Sequence, residues 1–327
     1  MATIGYHCSH EQFAPSTLLG LARAAEAAGF GGAMCSDHFH PWTNRQGQSG
    51  FAWSWLGAAL QATRLTFGVV NAPGQRYHPA IIAQAAATLS EMFPGRFWMA
   101  LGSGQALNEH ITGTPWPPKK ERQARLKEAV GVIRALFAGE EVDHNPLGQD
   151  GYVRAHKAKL YSRPAQPPRI IGAAVSAETA EWVGSWADGM ITVVKPYDEL
   201  KEVVEAFRRG GGEGKPMLLQ AQTCYAADEE DARRDAFDQW RANTLDSRIL
   251  VELEMPEDFE HAARDLRPED LDGHIRISSD LGQHAAWLQE DLALGFDEIY
   301  VHQVGRDQEG FLRAFGEHVL PRLGLPR

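Results

Sequence analysis

Cysteine is scarce in this chain. Cys8, Cys35 and Cys224 are far apart and odd in number. Thiols spaced in this way exclude a disulfide-stapled fold and a CxxC metal site, and they fit a reducing cytoplasm. Long apolar runs are also missing, which leaves no segment with the length and hydrophobicity of a membrane-spanning helix. The N-terminal Met1-Ala2-Thr3-Ile4-Gly5-Tyr6 lacks a basic region followed by an apolar run, so no signal peptide is expected. Positive charge is in deficit: 32 Lys and Arg against 43 Asp and Glu leave a formal net charge of −11. Nonspecific nucleic-acid binding relies on Lys and Arg to neutralise phosphates, so this balance argues against it and favours a small-molecule partner. No Gly-, Pro- or Ser-rich linker divides the chain, and no low-complexity tract interrupts it.

What is present is a core and a rhythm. Hydrophobic residues make up 43% of the 327 positions and charged residues 23%, ordinary values for a globular protein. Short strand-like runs are expected at 3–8, 30–36, 65–70, 96–101, 169–174, 189–194, 217–224 and 298–302. Helical patterns fill most of the intervals. The clearest runs over 119–137, where Leu126, Val130, Ile133 and Phe137 share one face. Pro79 opens another helix at the position where proline is best tolerated. Eight strands alternating with helices imply a parallel sheet that can close into a single (β/α)8 (TIM) barrel over 1–327. Two insertions depart from the pattern: a Gly/Pro-bearing excursion at 139–168, expected to hold a short hairpin, and an acidic, irregular stretch at 245–280. An open doubly-wound sheet is the alternative, but nothing marks a Rossmann half.

In such a barrel the chemistry sits where strands end and βα loops begin. That rule selects Ser36, Asp37, His38, Phe39, His40 and Trp42 after strand two, and Asn71 and Gln75 after strand three. It also selects Ser103, Gln105, Asn108 and His110 after strand four, Val175 and Ser176 after strand five, and His302 and Gln303 after strand eight. Asp37-His38 pairs a group that exchanges protons near neutral pH with a carboxylate able to orient it; an Asp capping a turn beside a space-filling His is the other reading. Gly102-Ser103-Gly104 would let a flat ring or a phosphate approach the backbone, or is simply a tight turn. Ala174-Val175-Ser176 enters a helix N-terminus, which suits a phosphate, although Ser there is commonly just an N-cap. Trp42, Trp53, Trp55 and Trp98 could wall a planar cofactor or pack the core. Gly210-Gly211-Gly212-Glu213-Gly214 falls between a helix and the next strand, on the stability face, and reads as a flexible loop. His38 and His40, with His110, Asp188 or His302, also allow a metal site and hence a hydrolase.

The run Cys35-Ser36-Asp37-His38-Phe39-His40-Pro41-Trp42 resembles the bacterial-luciferase-like flavin oxidoreductases. So do His10-Glu11-Gln12-Phe13-Ala14-Pro15, the stretch Arg76 to Ala85, Gly102-Ser103-Gly104-Gln105-Ala106-Leu107-Asn108-Glu109 and Glu121 to Leu126. The similarity is greatest to the deazaflavin (coenzyme F420)-dependent glucose-6-phosphate dehydrogenase group, and within it to a branch of flavin oxidoreductases that do not use F420. It runs nearly end to end and is weakest over 245–280. The resemblance implies a luciferase-like TIM barrel with an FMN or F420 ring near its mouth, and dimerisation through barrel helices. Asp37 would contact the cofactor, His38 would be the substrate-side acid/base and Trp42 would flank the reacting carbon. Val69, Val70 and Asn71 would form a bulge behind the ring, often with a non-proline cis peptide. Ser103, Gln105 and Asn108 would line the ring, and Ala174, Val175 and Ser176 would meet the phosphate.

Two departures matter. The dehydrogenase motif has a carboxylate where this chain has Gln105, and an amide cannot relay a proton. Leu250, Val251 and His274 stand opposite the family's late basic residues for the sugar phosphate, with Arg248 and Arg276 nearby. These changes favour an FMN-dependent oxidoreductase, with oxygen chemistry of the monooxygenase kind as an extension. An F420-dependent sugar or alcohol dehydrogenase, a metal hydrolase and a non-catalytic flavin-binding barrel are the alternatives.

Overall fold

A computed structural model describes residues 2–145 and 151–325. Positions 146–150 of the first insertion lie outside the described residues. The expected barrel is present. In chain order its strands are β1 (Thr3–Cys8), β2 (Gly32–Ser36), β3 (Thr66–Asn71) and β4 (Phe97–Leu101). A two-stranded antiparallel excursion follows, β5 (Val142–His144) and β6 (Ala155–Ala158). The barrel resumes with β7 (Arg169–Ala173), β8 (Gly189–Val193) and β9 (Met217–Cys224). A short β10 (Arg276–Ile277) adds to the outer end of β9, and β11 (Glu298–Gln303) completes the set. All barrel pairs are parallel. The ring runs β9-β11-β1-β2-β3-β4-β7-β8 and closes through β8–β9, from Met190↔Met217 to Val193↔Gln220.

The helices obey simple end rules. α1 (Pro15–Ala28) starts with Pro at its first turn and stops at Gly29, whose φ of 96° is left-handed. α2 (Ala52–Ala62), α3 (Pro79–Met92), a four-residue α4 (Ala106–Glu109) and α5 (Lys119–Ala138) lie on the first half of the chain. α6 (Ala177–Gly184), α7 (Tyr197–Phe207) and α8 (Glu229–Trp240) follow. The second insertion carries α9 (Ser247–Leu250) and α10 (Pro256–Ala262), and α11 (Leu281–Leu294) and α12 (Gln308–Ala314) close the ring. The glycine run at 210–214 is not a loose loop. A Cβ on Gly210 would collide with the Glu181 backbone, so this run is the close crossing of α6 with the end of α7.

The barrel interior is a packed plug. Met34, Trp98, Ala100, Ile171, Ile191, Leu218 and Tyr300 fill it. Trp98 and Tyr300 fit because Gly5 and Gly68 leave room, since a Cβ on either would fall inside a neighbouring ring. The Trp98 indole donates to Tyr300 Oη (3.0 Å), Tyr300 donates to Glu298 (2.5 Å), and Glu298 pairs with Arg169 (2.7 Å). This seals the N-terminal floor, so only the C-terminal mouth is left for chemistry. The second insertion is ordered, contrary to the irregular stretch expected from sequence. Phe259, Leu271 and Ile275 join Trp42, Leu107, Trp240 and Val304 in a separate apolar cluster that covers one side of the mouth. Among the described residues no helix is long and apolar enough to cross a membrane.

Candidate active site

The strand ends bring a polar layer together above the plug. β1 leads into Ser9-His10-Glu11-Gln12, and Glu11 is buried. Its Oε2 accepts from Ser36 Oγ (2.7 Å) and Ser9 Oγ (3.0 Å), and its Oε1 lies 3.5 Å from His38 Nδ1. The His38 ring packs against Trp42 with centroids 4.8 Å apart. Its side chain is 12% exposed, and Nε2 is the nitrogen left without a carboxylate partner. Burial lowers the His38 pKa and Glu11 pulls it back up; the balance leaves it below the ordinary imidazole value. Burial raises Glu11, but His38 and the Ser36 hydroxyl outweigh this and hold it below the usual carboxylate range. At neutral pH the pair is therefore a neutral imidazole backed by a carboxylate.

Two more histidines lie beneath it. His7 and His302 pack with tilted rings, centroids 4.2 Å apart, and Trp240 meets His302 edge-on at 4.5 Å. Gln12 Oε1 accepts from His302 Nε2 (3.1 Å), which makes Nδ1 the acceptor for Gln220 Nε2 (3.3 Å). Burial pushes His302 down to about 3 and His10 down to about 4.

Asp37 does not orient His38, as the sequence had led us to expect. Its Oδ1 accepts from Tyr77 Oη (3.1 Å). Arg76 Nη2 and Asn71 Nδ2 approach Oδ2 at 3.4 Å and 3.5 Å, and Arg76 also donates to the Asp37 carbonyl (2.7 Å). The carboxylate thus ties the loop after β3 to the end of β2, and the orienting role falls to Glu11. Nothing in the sequence motif singled out Glu11 within its stretch. Its place at the end of β1, on the same side of the barrel as β2, was the available signal.

The remaining expected residues divide. Trp42 stands at the mouth, whereas Trp53 and Trp55 belong to α2 in the outer core and Trp98 fills the plug. Val70 faces the barrel interior and Val69 the helices. All peptide bonds among the described residues are trans, and Val69-Val70-Asn71 continues the β3 ladder in unbroken register, so neither the bulge nor the cis bond that the resemblance implied is present. Asn108 is buried, and its Oδ1 accepts from the Phe39 backbone (2.8 Å), locking the His38 loop. Ser103 and Gln105 are half-buried beside Gly104, whose φ of 85° needs glycine. Ser176 Oγ caps α6 through Thr179 N (3.4 Å), with Ala174 buried and Val175 exposed. His40 turns away from His38, onto the Leu107 carbonyl (3.1 Å) and the His110 ring. No three His, Cys, Asp or Glu side chains among the described residues converge as metal ligands, so the hydrolase reading gains no geometry.

A flat ring with polar edges suits this mouth. Small residues, Gly102 and Ala173, leave space, and Asn71 Oδ1 and Gln222 Oε1 are buried without a partner. The apolar groove between α5 and the hairpin, lined by Val132, Ala135 and Val142, lies outside the barrel and offers no such convergence.

A closed parallel barrel with an acid/base pair at its C-terminal mouth has the build of a barrel enzyme. The chain belongs to the luciferase-like monooxygenase family, whose profile matches residues 1–298. It is 38% identical over 330 residues to an F420-dependent glucose-6-phosphate dehydrogenase of Nakamurella multipartita, covering 98% of this chain and 96% of that one. It is 35% identical over 333 residues to the enzyme of the same name from Mycobacterium tuberculosis H37Rv, covering 98% and 97%. Among solved structures, an F420-dependent secondary alcohol dehydrogenase in complex with an F420-acetone adduct superimposes with a TM-score of 0.91 at 27% identity, covering 98% of this chain and 99% of that one.

Proposed function

We propose that this chain is a coenzyme F420-dependent oxidoreductase that interconverts a small organic alcohol and its carbonyl compound. The buried Glu11–His38 pair at 3.5 Å, with the His38 ring against Trp42, carries the reading. The relatives named above bear on the choice of cofactor: they use F420, so the FMN reading drawn from Gln105 and the missing basic residues is less well supported. Those departures concern the proton partner and the substrate phosphate rather than the ring itself.

Bound at the mouth, F420 would supply a two-electron hydride acceptor. Asn71, Ser103 and Gln105 would meet the ring, and Ala174, Val175 and the α6 N-terminus capped by Ser176 would meet the phosphate. His38 Nε2 would take the hydroxyl proton while the cofactor held there would supply the acceptor for the carbinol hydride, which together would leave the carbonyl compound. Glu11 is a positioning residue: it fixes the ring and stabilises the imidazolium that forms. Gln105 donates or accepts a hydrogen bond to the substrate but carries no proton. The test is His38→Ala. Its F420 affinity should stay within about threefold of the parent, and its alcohol turnover should fall about 10²- to 10⁴-fold. Full turnover in His38→Ala would overturn the assignment.

A further inference from the structure

Four arginines near the mouth are engaged by carboxylates, and the segment covering the mouth is strongly acidic. Arg276 lies on β10 beside the end of β9, but its guanidinium turns outward and makes a bidentate pair with buried Asp291 of α11 (2.5 and 2.7 Å). Arg248 is folded onto Asp246 of its own turn (2.7 and 3.0 Å). Arg122 donates to Glu252 (2.9 Å) and to the Pro117 carbonyl (3.0 Å). Arg76 is spent on Asp37 and Glu109. Lys195, just past β8, has a looser contact, 3.9 Å from Glu199, and it also lies near enough to Asp246 to help hold that carboxylate low.

The insertion itself, 245–280, contains eleven Asp and Glu (246, 252, 254, 257, 258, 260, 265, 269, 270, 272, 280) against four Arg (248, 264, 267, 276). Counted from the same sequence, that is −7 of the chain's total −11. A low-dielectric cleft under a lid of one sign repels ligands of that sign. Beneath the lid the surface is apolar. Phe259 meets Trp42 edge-on at 5.4 Å, and Leu107 and Trp240 complete the cluster. Large hydrophobic side chains stay exposed at the same end: Phe39 and Val175 on loops, Tyr197 at the start of α7 and Ile249 in α9.

We infer that the site takes an uncharged alcohol or ketone with an apolar body and rejects phosphorylated sugars, because the arginines at its mouth, Arg76, Arg122, Arg248 and Arg276, are held in ion pairs beneath an acidic lid. The inference rests on the F420 reading above. It differs from the substrate in the names of the dehydrogenases described above. A phosphate dianion would have to break the Arg276–Asp291 pair, stranding a buried carboxylate, or rely on Lys195 alone between two acids.

The experiment is a calorimetric titration of the protein saturated with oxidised F420, into which cyclohexanone or glucose 6-phosphate is injected; the ketone cannot be oxidised by this cofactor, oxidation of the sugar phosphate would show as loss of the cofactor's absorbance and would overturn the inference, and F420 affinity is measured separately by fluorescence. Cyclohexanone is expected to bind with an affinity unchanged between low and high salt. Glucose 6-phosphate should bind at least about 100-fold more weakly, and somewhat better as salt screens the lid. Asp246→Asn, which can still cap α9, should tighten glucose 6-phosphate at least about threefold. Glucose 6-phosphate binding as tightly as the ketone, or an Asp246→Asn variant with no gain, would overturn the inference. Failure of F420 itself to bind would instead remove the functional reading beneath it, and the substrate inference with it.

Discussion

Single residues decide the chemistry, and the sequence showed only part of them. His38 and Trp42 were legible because their motif sits at a strand end. Glu11 was not, because a carboxylate two residues past a buried strand looks like any turn residue until the barrel closes. The local pairing of Asp37 with His38 misled for the same reason: adjacent residues at a strand end point to opposite sides. The Glu11–His38 assignment has a pH signature. His38 is titrated below the ordinary imidazole value, so alcohol oxidation should hold its rate down to below pH 6.5 and fall as the base becomes protonated. Glu11→Gln removes the charge that raises the His38 pKa. Its acid limb should therefore move to lower pH while its maximal rate drops about 10- to 100-fold. A pH profile of kcat/KM checks both, and an unmoved limb would separate Glu11 from His38.

At the scale of elements, the barrel strands and most helices were readable from periodicity, and boundaries moved by only a few residues. α4 was missed because four residues carry no period. The insertion was misread because its order comes from packing Phe259 and Leu271 against Trp42 and Trp240, which are distant in sequence. Its β10 is held by Arg276, which tests the role assigned to that side chain. Arg276→Gln strands Asp291, which is buried. It should destabilise the protein by about 3 kcal/mol, seen as a lowered Tm, with the KM of a neutral alcohol unchanged. A large KM rise at unchanged stability would mean that Arg276 serves the substrate instead. In the plug, Gly68→Ala pushes a methyl into the Trp98 ring and should cost about 1–3 kcal/mol by denaturant titration.

Across the whole molecule, a layer of neutral buried histidines links stability to pH. His10 and His302 titrate at about 4 and about 3 in the folded state, and His7 is also lowered. In the unfolded chain each has a pKa of about 6.5. The unfolded state therefore binds more protons below that pH, so stability is full above about pH 6.5 and is lost as pH falls toward 4. At pH 5 the cost is about 2 kcal/mol each for His10 and His302. Equilibrium unfolding at pH 7 and pH 5 measures it, and His302→Gln should reduce the difference. The central claim, hydride exchange with F420, is tested most directly by mixing the protein with oxidised F420 and a secondary alcohol and following the loss of the cofactor's absorbance. The account expects bleaching that needs the alcohol and His38, with no turnover when FMN replaces F420. Tight FMN binding with oxygen-dependent turnover, and no bleaching of F420, would contradict it.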